Sequence, residues 1–254
     1  MPHLDVHASL VACKTSTAAR WEFLREFAEH RALSIPIADL SPPSTMLHQD
    51  RIVVAEQRLG VTLPASLKAA YELLGHRPDL TSNQDTFLPP EKLYIDKQEN
   101  PHKTNKYLVF RTENQGAAVW GIQVPVLCAD PPVFMCLTMS DEQADLWHQW
   151  ASSFSEALVE LVLSEAMHDP TSLTYTSFEE CDRLELERRF KRLPFPQYHT
   201  ESQCTFSWYT HGPDLLLRYD GSEVMIRART ENSVHQLEKE HSDIFTGLVP
   251  NGYL

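Results

Sequence analysis

Glycine is scarce in this chain, with 8 in 254 residues, and neither G-x-x-x-x-G-K-[ST] nor G-x-G-x-x-G occurs among them. Both motifs use glycine backbone to cradle phosphates, so binding of nucleotides by those routes is excluded. A G-x-S-x-G nucleophile elbow and an H-E-x-x-H zinc helix are also missing, which removes the hydrolase and zinc-protease classes built on them. Basic residues are outnumbered, 22 Lys and Arg against 35 Asp and Glu, for a formal charge of −13. Non-specific nucleic-acid binding rests on cations that neutralise phosphates, so no nucleic-acid partner is expected. An acidic field instead raises the association rate of a basic protein partner.

No stretch approaches the roughly 18 uninterrupted apolar residues of a membrane-spanning helix. The start, M-P-H-L-D-V-H-A-S-L, lacks the basic segment and apolar run of a signal peptide. The five cysteines (Cys13, Cys128, Cys136, Cys181 and Cys204) form no C-x-x-C pair. An odd, irregularly spaced set is read as reduced thiols, with Cys128 and Cys136 in the core. The expectation is a cytoplasmic protein with no membrane partner, no cofactor and no metal. Of the 12 histidines, only His199 and His211 with Cys204 have spacing reminiscent of a metal site, and they are read as surface or packing residues.

What is present is ordinary globular material: 42% hydrophobic and 22% charged residues, punctuated by 17 prolines. A chain this long buries roughly 70–75% of its unfolded surface and needs no staple. Residues 15–33 carry Trp21, Leu24, Phe27 and Ala28 at helical spacing. Three prolines in I-P-I-A-D-L-S-P-P-S-T (35–45) mark a linker. Two helices follow, the first closing at Gly60, where a left-handed residue ends a helix well. The second begins near Pro64, which can occupy a first helical turn without loss, and closes at Gly75.

Strands are expected at 107–110, 117–122 and 133–137, with a short one near 93–95. Phe154, Leu158, Leu161 and Val162 predict an amphipathic helix capped by Ser152 or Ser153 with Glu156. A charged helix at 178–193, a hairpin at Asp220–Gly221 and a last helix over 233–245 complete the reading. The carboxylate pairs Glu179–Glu180, Asp141–Glu142 and Glu185/Glu187 read as solvated faces.

Four pieces carry a resemblance: A-E-Q-R-L-G-V-T-L-P-A-S-L-K (55–68), E-N-Q-G-A-A-V-W-G-I (113–122), D-P-P-V-F (130–134) and S-F-S-E-A-L-V-E-L (153–161). In order and spacing they resemble the SUKH superfamily, small α+β proteins best known as immunity proteins of bacterial toxin systems, with relatives among fungal cell-wall regulators. The matching positions are Glu56, Leu59, Gly60, Leu63, Pro64, Asn114, Gln115, Gly116, Trp120, Asp130, Pro131 and Pro132. Phe134 stands where the family often has tryptophan.

The resemblance implies an α+β fold, an antiparallel sheet flanked by helices; the C-terminal β-hairpin and helix, read from their own residues, fall outside it as an extension. It divides the chain into 1–45 (N-terminal helix and linker), 46–168 (the SUKH-like core) and 169–254 (the extension). It also implies a non-enzymatic role, the binding and neutralising of a cognate protein toxin such as a basic nuclease or deaminase. The alternatives are a scaffold or regulatory interaction module, and a hydrolase using Glu113 or Asp130 beside Trp120. Asn and Gly tolerate the backbone of tight turns, so Glu113–Gly116 is read as a hairpin connection and Trp120 as core beneath the helical pair. Neither the interface nor the oligomeric state can be read from the sequence.

Overall fold

A computed structural model describes residues 6–14, 16–32, 45–96, 105–138, 147–170, 172–177, 182–195, 198–199, 205–212, 215–221, 223–245 and 247–250. Its fold class is α+β, with antiparallel sheets. The chain forms two compact units, one of Phe27–Glu165 and the other of Met1–Glu26 with Ala166–Leu254. The division therefore runs through two helices. It groups residues 27–45 with the expected core, and the first 26 residues with the C-terminal ones.

Helix α1 (Val6–Cys13) is not signalled by the periodicity. Helix α2 (Thr17–Ala32) matches the expected N-terminal helix, and the Ser16 hydroxyl accepts from the Ala19 N–H at its start. Burial pushes the Cys13 thiol up to about 11, which keeps it protonated and unreactive at neutral pH.

In the unit Phe27–Glu165, α3 (Thr45–Leu59) and α4 (Ala65–Leu74) form the helical pair. Gly60 takes φ +68°, as its place after α3 requires. Pro64 is the N-cap of α4, extended at φ −62° and ψ 150°, one residue before the helix proper. A single turn, α5 (Pro78–Thr81), precedes β1 (Thr86–Phe87), β2 (Tyr94–Asp96), β3 (Lys106–Thr112), β4 (Ala118–Val124), β5 (Val133–Leu137) and β6 (Trp147–Ala151). These six make one sheet in the order β1-β3-β4-β5-β6, with β2 also on β3.

The three apolar runs are strands, as expected; β6 is an addition that its sequence, W-H-Q-W-A, hardly announces. Helix α6 (Phe154–Met167) is apolar around most of its circumference and buried along its length. A chain of rings joins these elements: Tyr71 to Phe87 at 5.1 Å, Phe87 to Phe110 at 6.3 Å and Phe110 to Phe154 at 5.1 Å. Cys136 is buried as expected, but Cys128 is exposed. It sits in the loop that follows the cis Val124–Pro125 bond rather than in a strand.

Gly121, in the middle of β4, has a packing reason. A Cβ there would meet the Trp147 ring at 2.9 Å and the Leu108 carbonyl oxygen at 3.2 Å. That ring cannot readily retreat, because it stacks on Tyr107 at 4.2 Å and its Nε1 donates to Asp96 at 3.1 Å. Gly121→Ala is expected to cost about 1–3 kcal/mol through overpacking. Urea denaturation would measure it, and near-UV circular dichroism would report the displaced tryptophan.

The other unit holds β7 (Leu173–Ser177), α7 (Arg183–Arg189), β8 (Lys191–Arg192), β9 (Tyr198–His199), β10 (Thr205–His211), β11 (Leu215–Tyr219), β12 (Val224–Ala228), α8 (Glu231–Glu240) and β13 (Val249–Pro250). The hairpin expected at Asp220–Gly221 is β11–β12, joined by residues 220–223. It is the middle of a seven-stranded antiparallel sheet, order β13-β7-β12-β11-β10-β8, with β9 also on β10. The expected hairpin and following helix are thus present, with further strands on either side of the hairpin. The missed strand β10 reads T-F-S-W-Y-T-H, and from Ser207 to Thr210 it is buried on both faces, so no clean alternation marks it. Leu186 of α7, Phe190 at its C-cap, Leu237 of α8 and Phe245 join Tyr209, Leu217 and Ile226 in one apolar core.

Candidate functional site

Several residues of the four-piece pattern are joined directly by hydrogen bonds. The Glu56 carboxylate accepts from the Leu63 N–H at 2.7 Å and pairs with Lys68 at 2.7 Å, tying α3 to the start of α4. The Ser66 N–H donates to the Ala129 carbonyl at 2.9 Å. Next in the chain, Asp130 accepts from the Ser155 N–H at 2.8 Å and from the Ser155 hydroxyl at 2.6 Å. Asp130 thus serves the first turn of α6, where exposed N–H groups and the helix dipole favour a carboxylate. Leu63, Pro64 and Pro131 are buried around this junction, and Leu59 and Pro132 are partly buried.

Asn114, Gln115 and Gly116 lie elsewhere, in the β3–β4 connection, while Asp130 follows the far end of β4. The Glu113 carboxylate accepts from the N–H groups of Gln115 at 2.8 Å and Ala117 at 2.9 Å, closing the turn around Gly116 at φ +75°. The Thr138 hydroxyl donates to the Gly116 carbonyl. Glu113 and Asp130 are thus separated by the length of β4, roughly 20 Å, and each is occupied with backbone donors. That arrangement does not form the acid/base pair that a two-carboxylate hydrolysis needs.

Trp120 has a more unusual neighbour. The β3–β4 register shifts between Val109 and Arg111, and the irregularity sets Arg111 opposite Trp120. The guanidinium then lies 4.4 Å from the centre of the Trp120 ring, and Trp150 meets the same ring edge-on at 6.0 Å. Trp120 is buried, as expected of a core residue, and the partners shown for its ring are Arg111 and Trp150 rather than the helical pair.

Three carboxylates converge on Arg111: Asp85 at 2.7 Å, Glu165 at 3.1 Å and Glu160 at 3.6 Å. Arg111, Glu160 and Glu165 are 3%, 2% and 0% exposed, so their charges sit in the interior. Glu165 is held further by the N–H groups of Asn83 and Gln84, each at 2.7 Å, and of Asp85 at 3.2 Å. Burial nevertheless pushes its pKa up, against the lowering effect of Arg111 and of those backbone donors. This cluster escaped the sequence reading. The available signals were an arginine closing the apolar run Y-L-V-F-R, and Glu160 and Glu165 set among the apolar residues of α6 beyond its first turn. Sealed from solvent, it acts as an internal brace linking β3, α6 and the 83–85 turn.

The pairing of His199 with His211 also resolves. His199 lies opposite Thr205, six residues from His211 along β10 and roughly 20 Å away, so the two cannot share an ion. Cys204 lies outside the described residues. Compared with protein-family models, with curated proteins and with solved structures, the chain matches none of them.

Proposed function

We propose that the chain is an immunity-type binding protein, one that neutralises a basic protein toxin by direct association and performs no catalysis of its own. The observation that supports this reading most strongly is the junction of Glu56, Leu63, Ser66, Ala129, Asp130 and Ser155. Three of the four sequence pieces that resemble the SUKH superfamily meet there as mutually supporting parts of a fold. The chemistry of the pattern is spent on holding elements together, which leaves the outer surface to carry function.

Charge supports the choice of partner. The unit Phe27–Glu165 contains 18 acidic and 10 basic residues, so it carries −8 of the total −13. Within this unit Leu127 is 90% exposed, the most exposed large hydrophobic side chain among the described residues. It projects from the 125–130 loop, next to the Ala129–Ser66 contact that fixes that loop to α4. An exposed apolar side chain on a unit of net negative charge suits a binding mode in which a few anchors dominate the energy while charge sets the encounter rate.

Where a toxin-like reading frame adjoins this gene, co-expression with its product is the test. Cells are expected to survive with the intact chain and to lose that protection, wholly or in part, with Leu127→Ser. That substitution removes a surface group, so stability should stay within about 0.5 kcal/mol of the parent. Absence of rescue by the intact chain, with several stable host partners recovered instead, would favour a regulatory scaffold.

A further inference from the structure

In the unit that contains the C-terminal sheet, the ends of β10 and α8 bring three metal-ligating side chains together. His211 is the last residue of β10, Glu240 the last of α8, and His241 the C-cap of that helix. One nitrogen of each imidazole and one oxygen of the Glu240 carboxylate all lie within 4.8 Å of one another. His211 Nε2 is 3.5 Å from Glu240 Oε2. Consecutive residues of a regular helix point about 100° apart. Here His241 has left the helix, at φ −130° and ψ 39°, and Glu240 and His241 face the same space.

The surroundings support the trio as ligands. Gln236 Nε2 donates to Glu240 Oε1 at 2.8 Å, which steadies the carboxylate and leaves Oε2 turned to His211; such outer contacts orient metal ligands. The Phe190 ring meets the imidazoles of His211 and His241 at 5.4 and 4.9 Å, an apolar wall that fixes both rings. The C-terminal end of a helix carries partial negative charge, which favours a cation. Arg189 is the opposing cation, but Asp243 engages it through two contacts of 2.7 Å and Glu185 through one of 3.1 Å, so its charge is largely matched.

We propose that His211, Glu240 and His241 bind a divalent transition-metal ion, zinc being the best fit, which clips the end of α8 to the end of β10. Two imidazoles and a carboxylate are a recurrent zinc set, with the fourth position left for water or an added ligand. Zinc donors lie about 2.0–2.2 Å from the metal and hence roughly 3.3 Å apart, so the side chains need only close in by rotamer adjustment. The role is independent of any toxin partner.

The experiment takes the full chain, treated with chelator, and titrates it with cobalt(II) and then zinc. One equivalent of cobalt is expected to give the visible absorption of a four-coordinate site, and zinc should abolish it. Zinc at a hundredfold excess over its Kd should raise the Tm by roughly 5–10 °C. His211→Ala and Glu240→Gln should each weaken binding by more than about 100-fold, and Gln236→Ala by about 10-fold. His235→Ala, a surface histidine one turn away, should change nothing. Glu240 is 43% exposed, so E240Q keeps the test decisive if a histidine variant fails to fold. Binding below one equivalent, or binding indifferent to H211A and E240Q, would overturn the site and assign the metal to other histidines.

Discussion

Replacing Arg111 by methionine is expected to lower the unfolding free energy by about 3–5 kcal/mol, the usual cost of leaving a buried charge without its partner. The cost here falls on three carboxylates at once, since Asp85, Glu160 and Glu165 all face the same guanidinium. Methionine fills much of the volume, so a cavity contributes little and the loss is chiefly electrostatic. Urea unfolding followed by tryptophan fluorescence would measure it.

The pH dependence of the variant has a definite sign. Burial already raises the pKa of Glu165, with Arg111 as the largest opposing influence. A carboxyl whose folded pKa lies above its unfolded value binds protons more readily in the folded state. Its contribution to stability is therefore present below the unfolded pKa and lost as pH rises through the folded one. Without Arg111 the folded pKa rises further, so R111M should recover part of its deficit as pH falls from 7 towards 5. A deficit that is constant over that range would show that Glu165 is not the group left exposed to the loss.

Trp120→Ala is the second large effect, about 3–5 kcal/mol for truncating a buried tryptophan. Trp120 is 7% exposed and carries Arg111 over one face and Trp150 at its edge. Since it shares the guanidinium with the carboxylates, W120A and R111M should be non-additive, with a coupling of about 0.5–3 kcal/mol in a double-mutant cycle. Trp120→Phe keeps a ring beneath the guanidinium and should cost markedly less than W120A. Additive losses would mean that the stacked pair contributes nothing as a pair.

Those residues also show how far the sequence could be read. Gly60, Pro64, Gly116 and Gly121 stand where backbone geometry or a close ring dictates them, and the helical pair, β3 to β5 and α6 follow from local punctuation and apolar period. Arg111 was illegible because its significance depends on a register shift in β3 and on Asp85 and Glu165, which are 26 and 54 residues away in sequence. Glu113 and Asp130, conspicuous as chemistry, prove to be acceptors for backbone N–H groups, a role that spacing alone does not separate from catalysis. β10 stayed hidden because burial on both faces erases alternation. The histidine cluster stayed hidden because His211 and Glu240–His241 are brought together only by the docking of α8 against the sheet.

The central claim, a binding protein acting through the surface of the unit Phe27–Glu165, is tested most directly by isothermal titration calorimetry. The purified chain and its L127S variant would each be titrated with the basic toxin domain that the co-expression test identifies. The account predicts a 1:1 complex with the intact chain and at least about tenfold weaker binding with L127S, the loss of a central apolar anchor. No heat of binding with the intact, folded chain would contradict the claim, whatever the fold and its buried charges turn out to be worth.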